Sequence, residues 1–145
     1  MFQLPPALRD VLALGARLLV GVVLMAHGWQ KLVGEGLGAT SAGFARLGVP
    51  VPGLSATFAA CVETGGGFLL LAGLLTPVAA TLVALVMLGA GWFAGHWFAG
   101  VTGRGGWELV GVIIAVALLL AAMGPGRFSI DHVLARRGER TPAAI

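Results

Sequence analysis

The chain has 145 residues, of which 58% are hydrophobic and 10% are charged, with a formal net charge of +3. Because soluble domains are roughly 25% charged, this composition excludes an ordinary soluble globule and favours the lipid bilayer as the solvent. The basic residues are dispersed, which argues against a nucleic-acid-binding surface. The lone cysteine, Cys61, excludes an internal disulfide, and we expect it to be a small apolar residue of the interior.

Four apolar segments are long enough to cross a bilayer, which takes about 20 residues. They are residues 11–33, 54–75, 77–98 and 107–123. A long extracytoplasmic loop, 34–53, follows the first span, and a basic cytoplasmic tail, 124–145, follows the last. The sequence therefore predicts one all-α membrane domain, a four-transmembrane-helix bundle.

The connections between the spans differ in length. Pro77 suits the first turn of a helix, where its missing N–H does no harm, so the second and third spans are predicted to form a tight hairpin. Within loop 34–53 we expect one or two helical turns that end at Gly48. In the tail, Ser129 is predicted to cap a short helix over about residues 130–136.

The basic residues are distributed unevenly between the two sides of the predicted bundle. Six lie on the side of the termini: Arg9, Arg17, Arg127, Arg136, Arg137 and Arg140. Three lie on the other side: Lys31, Arg46 and Arg104. Since basic residues favour the cytoplasmic side, both termini are predicted to be cytoplasmic. Arg17 lies within the first span, and its long side chain is expected to reach the interface.

Every predicted span carries an ionisable residue in the half of the bilayer opposite the termini. His27 and Lys31 are at positions i and i+4 and share one face of the first helix. Glu63 lies roughly 13 Å into the second span, at ~1.5 Å per residue, whereas His96 ends the third helix and Glu108 begins the fourth. A charge near the midplane costs at least about 2.5–3.5 kcal/mol. Glu63 is therefore expected to face the interior, where it either pairs with Lys31 or His27 or remains protonated.

Three interpretations of these residues remain open at this point. One is a structural network of ion pairs and hydrogen bonds that fixes the register of the helices. Another is an outward-opening polar pocket that binds a small ligand or moves protons. The third, a metal site made by His27, His96 and a carboxylate, has suitable ligand types, but no pair of ligands has a signature spacing and no metal is assigned.

An ordered set of motifs supplies a resemblance over about residues 9–131. The motifs are AHGWQKL, FARLGVPVPG, ETGGGFLLLAGLLTPVAA, GGWEL and GPGRFSID, with His96 between the third and fourth. Together they resemble the DoxX family of small bacterial membrane proteins. The resemblance implies a four-helix protein of the bacterial inner membrane, similar to the small membrane subunit of thiosulfate:quinone oxidoreductase. It also implies soluble partners, a superoxide dismutase and a thiosulfate sulfurtransferase, which are linked to mycobacterial members that handle oxidative and thiol stress.

The leading functional hypothesis is a membrane subunit of a redox system that passes electrons from a thiol or thiosulfate to a quinone. The polar pocket would hold the quinone head group, with Glu63 and His27 binding its carbonyls and exchanging protons, and Lys31 tuning their proton affinity. The expected quinone-binding residues also include His96, Glu108 and, at the rim, Trp92. The sequence contains no flavin, haem or iron–sulfur motif, so electrons would come from a partner or a thiol substrate.

Two other classes of function compete with this hypothesis. A non-catalytic scaffold would use the basic tail, including Arg136 and Arg137, to hold soluble redox enzymes at the membrane. A small-molecule transporter is less favoured, because the four predicted helices lack the internal repeat and the broken helices that alternating access usually requires. A homo-oligomer is expected, since faces of small residues remain after the bundle closes.

Overall fold

The computed structural model describes residues 5–94 and 107–138, and these residues form a bundle of helices joined by short turns. The helices are α1, Pro6–Trp29, which continues through a π-helical turn, Gln30–Gly34; α2, Gly36–Arg46; α3, Pro52–Cys61, which continues through a second π-helical turn, Val62–Gly66, into α4, Gly67–Ala72; α5, Thr76–Phe93; α6, Glu108–Met123; and α7, Ile130–Gly138. We call Pro52–Ala72 the second span. The predicted end of the third span and the third loop lie outside the described residues.

The prediction of an all-α membrane protein with a bundle of spanning helices is confirmed. Three segments are long and apolar enough to cross a membrane, Pro6–Gly34, Pro52–Ala72 and Thr76–Phe93, and α6 is an apolar helix of 16 residues. Large apolar side chains such as Leu19, Leu54 and Leu85 cover the outer surface, which suits lipid and not water. Cys61 is also exposed on this surface, so its predicted place in the interior is wrong.

Two glycines bring α1 and the second span into backbone contact. α1 packs against the second span and α6, and α5 packs against the same two elements. A Cβ added to Gly21 would lie 2.8 Å from the carbonyl oxygen of Gly67, and a Cβ on Gly67 would lie 2.8 Å from that of Gly21. Small residues permit this close approach, which is the usual basis of helix packing within a bilayer.

The connection between α1 and α3 contains a helix of three turns. The sequence predicted one or two turns in an otherwise irregular loop, whereas α2 covers Gly36–Arg46 and packs against α3. The hydroxyl of Thr40, a buried residue, donates to the carbonyl oxygen of Gly36 at 3.0 Å. The glycine- and serine-containing segment has a weak intrinsic helix propensity, and packing against α3 supplies the stability that propensity does not.

A buried guanidinium joins the elements at one end of the bundle. We call this the terminal end; it contains the start of α1, the end of α4, the start of α5 and the end of α6. Arg17 is 1% exposed, and its guanidinium extends along α1 to main-chain carbonyls at this end of the bundle. Its Nε donates to the carbonyl oxygen of Leu70 at 2.9 Å and its Nη2 to that of Leu71 at 3.2 Å. These carbonyls belong to the last turn of α4, where a cation is favoured, and that of Leu70 also accepts the N–H of Gly73 at 3.2 Å.

The same guanidinium also fixes the turn that follows α6. Its Nη1 donates to the carbonyl oxygens of Pro125, at 2.5 Å, and Phe128, at 3.0 Å. Each hydrogen bond from a charged donor contributes roughly 1.5–3 kcal/mol to the free energy of unfolding. Arg17 therefore holds α1, α4 and the turn after α6 together through main-chain acceptors.

Two acidic residues complete this polar cluster. Asp10, a buried residue, accepts the N–H of Arg127 at 3.1 Å, which attaches the turn after α6 to α1. The carboxylate of Asp131 accepts the N–H groups of Leu75 at 2.9 Å and Thr76 at 3.1 Å, and so caps the N-terminus of α5 from α7. This cap offsets the cost of Leu75, which is not glycine and has a φ of 50°.

The predicted short helix in the tail is present as α7. The Oγ of Ser129 accepts the N–H of His132 at 3.2 Å, as expected for its predicted capping role. Pro77 lies in the first turn of α5, also as predicted. The tight connection between the second span and α5 is thus held by both its own residues and α7.

We predict that Arg17→Met lowers the free energy of unfolding by on the order of 3 kcal/mol or more, because buried main-chain acceptors lose their donors. The measurement is thermal denaturation in mild detergent, followed by circular dichroism. Arg9→Met is the matched control, because Arg9 is exposed on the same helix. Equal transition temperatures for the two variants would contradict the joining role of Arg17.

Candidate functional site

An ion pair between two π-helical turns forms the centre of the candidate site. Lys31 lies in the π-helical turn after α1, and Glu63 lies in the one within the second span. The Nζ of Lys31 is 2.5 Å from Oε2 of Glu63, and only 5% of the Glu63 side chain is exposed. Such turns add a residue to the helical repeat and occur frequently at functional sites. Of the alternatives that the sequence left open for Glu63, the structure contains the pair with Lys31.

The two turns meet because the helices that carry them approach closely. A Cβ on Gly28, one turn before Lys31, would lie 2.6 Å from the main-chain nitrogen of Thr64. Any side chain at position 28 would push α1 away from the second span. The contact of Gly28 with Thr64 therefore sets the distance between the cation and the carboxylate.

Burial makes this ion pair energetically demanding. Moving two charges from water into an apolar interior costs several kcal/mol per ion, and their mutual attraction offsets this cost only with good geometry. The hydrogen bond of Lys31 to Glu63 supplies that geometry. Lys31 retains 21% exposure of its side chain, so the pair is accessible from one side and is not sealed in the core.

The accessible side of the pair is a cleft of about 430 Å³ between α1, the second span, α5 and α6. We call it the polar cleft. Four of its lining residues are ionisable: His27, Lys31, Glu63 and Glu108. The remaining lining residues are apolar: Leu24, Met87, Ala90, Leu109, Val110 and Ile113. A few polar groups in an apolar cavity of this size are typical of a small-molecule site.

The structure brings together four of the predicted site residues and separates one from them. His27, Lys31, Glu63 and Glu108 line the same cleft although they come from three helices. Trp92 is 67% exposed and is not among the residues that line the cleft. The side chain points away because residue 92 falls on the outer face of α5, two positions beyond Ala90. His96 lies outside the described residues.

A second cavity of about 440 Å³ also has the ion pair in its lining. We call it the lateral groove. It lies between α3 and α5, and residues of α2 and the turn after it, including Phe44 and Leu47, cover one end. Sequence analysis did not predict this groove, since it depends on the position of α2. The hydrophobic residues of that connection were the available signal.

The described residues do not contain a cluster of three or more histidine, cysteine, aspartate or glutamate side chains arranged to hold a metal ion. Within the polar cleft, the carboxylate of Glu63 is engaged by Lys31. The arrangement suits proton exchange and the recognition of a polar head group, since it offers a cation, a carboxylate and an imidazole beside an apolar surface.

Fold and site together define a multi-pass helical membrane protein with an ionisable cleft in the half of the bundle away from its termini. The chain belongs to the DoxX family, because the family model DoxX matches residues 12–97. This finding confirms the resemblance drawn from the ordered motifs.

Three relatives are similar to the chain over most of its length. Inner membrane protein YphA of Escherichia coli is 33% identical, over 87% of this chain and 92% of the relative. Inner membrane protein YqjF of the same organism is 33% identical, over 90% and 97%. An uncharacterised membrane protein of Mycobacterium tuberculosis is 35% identical, over 83% and 80%. No solved structure matches the chain significantly.

We predict that Lys31→Met destabilises the protein by about 3–5 kcal/mol, because it leaves the buried Glu63 carboxylate unpaired. The double variant Lys31→Met with Glu63→Gln should recover most of this loss, because it removes both charges. The measurement is the denaturation midpoint of both variants and of Glu63→Gln alone. If the double variant were as unstable as the sum of the single ones, the two charges would not be coupled.

Proposed function

We propose that the protein is the membrane subunit of a quinone-linked redox system of the bacterial inner membrane, with the polar cleft as the head-group site. The observation that carries the proposal is the convergence of His27, Lys31, Glu63 and Glu108 on one cleft within an apolar bundle. Ionisable residues within a membrane are costly and are usually functional. The E. coli relatives are named inner membrane proteins, which supports this location.

The residues of the cleft have complementary roles in the proposal. The imidazole of His27 donates a hydrogen bond to one head-group oxygen and supplies a proton there. The Glu63 carboxylate receives a proton from the Lys31 ammonium, with which it is already hydrogen bonded, and passes it to a second oxygen. Glu108, at the start of α6, replaces those protons from the water-exposed end of the cleft.

A bound quinone supplies the two-electron acceptor for this chemistry. The electrons come from a thiol or thiosulfate donor, directly or through a soluble partner enzyme. The apolar residues Leu24, Met87 and Ile113 surround the head group and limit water in the cleft. The chain's contribution is therefore to bind the head group, exclude water and deliver protons at two oxygens.

We predict that protein purified in mild detergent retains a quinone, and that Glu63→Gln and His27→Ala each reduce the retained amount at least about tenfold. A loss of one good hydrogen bond to a charged group is worth roughly that factor. The measurement is mass spectrometry of the organic extract, normalised to protein.

Two control variants keep this experiment specific. Glu35→Gln removes an exposed carboxylate near the same end of α1, and His132→Ala removes an imidazole on α7. Both should retain the wild-type amount of quinone. An extract without quinone from folded wild-type protein would contradict the proposed function.

A second candidate function is a scaffold for soluble redox enzymes such as a sulfurtransferase or a superoxide dismutase, with both termini on the cytoplasmic side. The observation that favours it is α7, which Asp131 attaches to the bundle and which presents Arg136 and Arg137 at its exposed end. A fixed basic helix offers a defined surface to an acidic partner, and it attracts anionic lipid as well.

We predict for the scaffold that neutralising Arg136 and Arg137 to glutamine reduces co-purification of soluble partners several-fold, because complementary charges govern such encounters. Crosslinked membranes, affinity purification and quantitative mass spectrometry give the readout. Arg9→Gln, at the same end of the bundle, is the control. Partner recovery that depends on Glu63 and not on the two arginines would argue against docking through α7.

A further inference from the structure

We propose that the lateral groove binds the hydrocarbon tail of the ligand whose head group occupies the polar cleft, and that the ligand enters from the bilayer between α3 and α5. The inference rests on the proposed function and extends it to a tail site and an entry route. The ligand class is a compact oxygen-bearing ring with a single long hydrocarbon chain.

The two cavities have lining residues in common, which is the first observation in support. Lys31, Glu63 and Ala90 line both the polar cleft and the lateral groove. Two of these residues are the ion pair, and the third has only a methyl side chain. A head group hydrogen bonded to the pair therefore lies at the inner end of the groove, where a tail attached to it can continue outwards.

The lining of the groove selects a hydrocarbon chain as the occupant. Apart from the ion pair and Ser55, the lining consists of apolar residues and Gly89. The Oγ of Ser55 donates to the carbonyl oxygen of Pro50 at 2.6 Å, so its hydrogen atom is already engaged. A tail without polar groups can pack against this apolar surface. The ion pair at the inner end also needs a polar head group as its hydrogen-bond partner.

The outer rim of the groove faces the membrane. Phe58 on α3 is 52% exposed and Leu85 on α5 is 59% exposed, so the groove opens between these helices towards lipid. Phe44 and Leu47 on the α2 side also line the groove. A lipid-soluble ligand can thus reach the ion pair laterally, without crossing the aqueous mouth of the polar cleft.

Gly89 provides a direct test of the groove. A Cβ at this position meets no heavy atom within 4 Å, so a side chain can be added without a clash and will fill the groove. Gly15 on α1 has equally open surroundings and does not line either cavity, which makes Gly15→Leu the matched control for Gly89→Leu.

The experiment compares two benzoquinones with the same ring, one carrying a decyl chain and one carrying a methyl group. Their affinities for wild type, Gly89→Leu and Gly15→Leu are measured in nanodiscs with radiolabelled compounds. The expected result is that Gly89→Leu weakens binding of the decyl compound at least about fivefold, leaves the methyl compound unchanged and differs from Gly15→Leu, which affects neither.

The outcomes separate the tail site from the head-group site. If the wild type binds both compounds and Gly89→Leu leaves the decyl compound unaffected, or weakens both equally, the tail site is overturned while the proposed function stands. If the wild type binds neither compound, the proposed function fails and the tail site fails with it.

A second measurement does not depend on the folding of any variant. A decyl benzoquinone with a diazirine in its chain is photolysed with the wild-type protein, and the labelled peptides are identified by mass spectrometry. Labels concentrated on α3 and α5 around Phe58 and Leu85 support the groove. Labels spread evenly over the lipid-facing surface, as for a diazirine alkane without a ring, would overturn it.

Discussion

The hydrogen bonds of Arg17 are the interaction on which the arrangement of the helices depends. A cation within an apolar bundle requires hydrogen-bond acceptors, and for Arg17 these are carbonyl groups at the end of α4 and in the turn after α6. One side chain on α1 therefore connects two other parts of the chain. Asp10 and Asp131 strengthen the same end by binding main-chain N–H groups, so the terminal end is held by donors and acceptors that satisfy each other.

The opposite half of the bundle is built on a different principle. Lys31 and Glu63 form one short hydrogen bond with each other, and both residues line two cavities. When one residue of a buried ion pair exchanges its partner for a polar group of a ligand, little free energy is lost. The hydrogen bond to the ligand replaces the one that is broken. The contrast with Arg17 is physical: main-chain acceptors are fixed in place by their helices, whereas Lys31 has a flexible stem and partial exposure.

The hydrogen bonds at the terminal end fix the positions of the helices that carry Lys31 and Glu63. Gly21 and Gly67 set the separation of α1 from the second span, and Gly28 repeats that close contact next to the ion pair. The distance between Lys31 and Glu63 is therefore determined by backbone packing and not by the pair itself. Membership of the DoxX family adds a membrane setting to this arrangement, and the chemistry of the cleft supplies the reason to propose a quinone.

Several features followed from the sequence because they depend on composition or on local chain geometry. The excess of apolar residues required a membrane environment, and the depth of Glu63 required either a partner such as Lys31 or His27 or a protonated carboxyl, since an unpaired charge there is too costly. The Ser129 cap and the Pro77 start of α5 were also predictable, because both are local effects within one helical turn.

Other features were decided only by the tertiary structure. The acceptors of Arg17 are more than 50 residues away along the chain, so its burial could not be read from the first span alone. The outward position of Trp92 reflects the rotation of α5 within the bundle, and the lateral groove depends on where α2 packs. The sequence by itself determined that polar groups within the membrane must be paired, because the bilayer offers them no water. Which groups meet, and which space remains beside them, was determined by helix packing, since that alone sets distances between residues far apart in the chain.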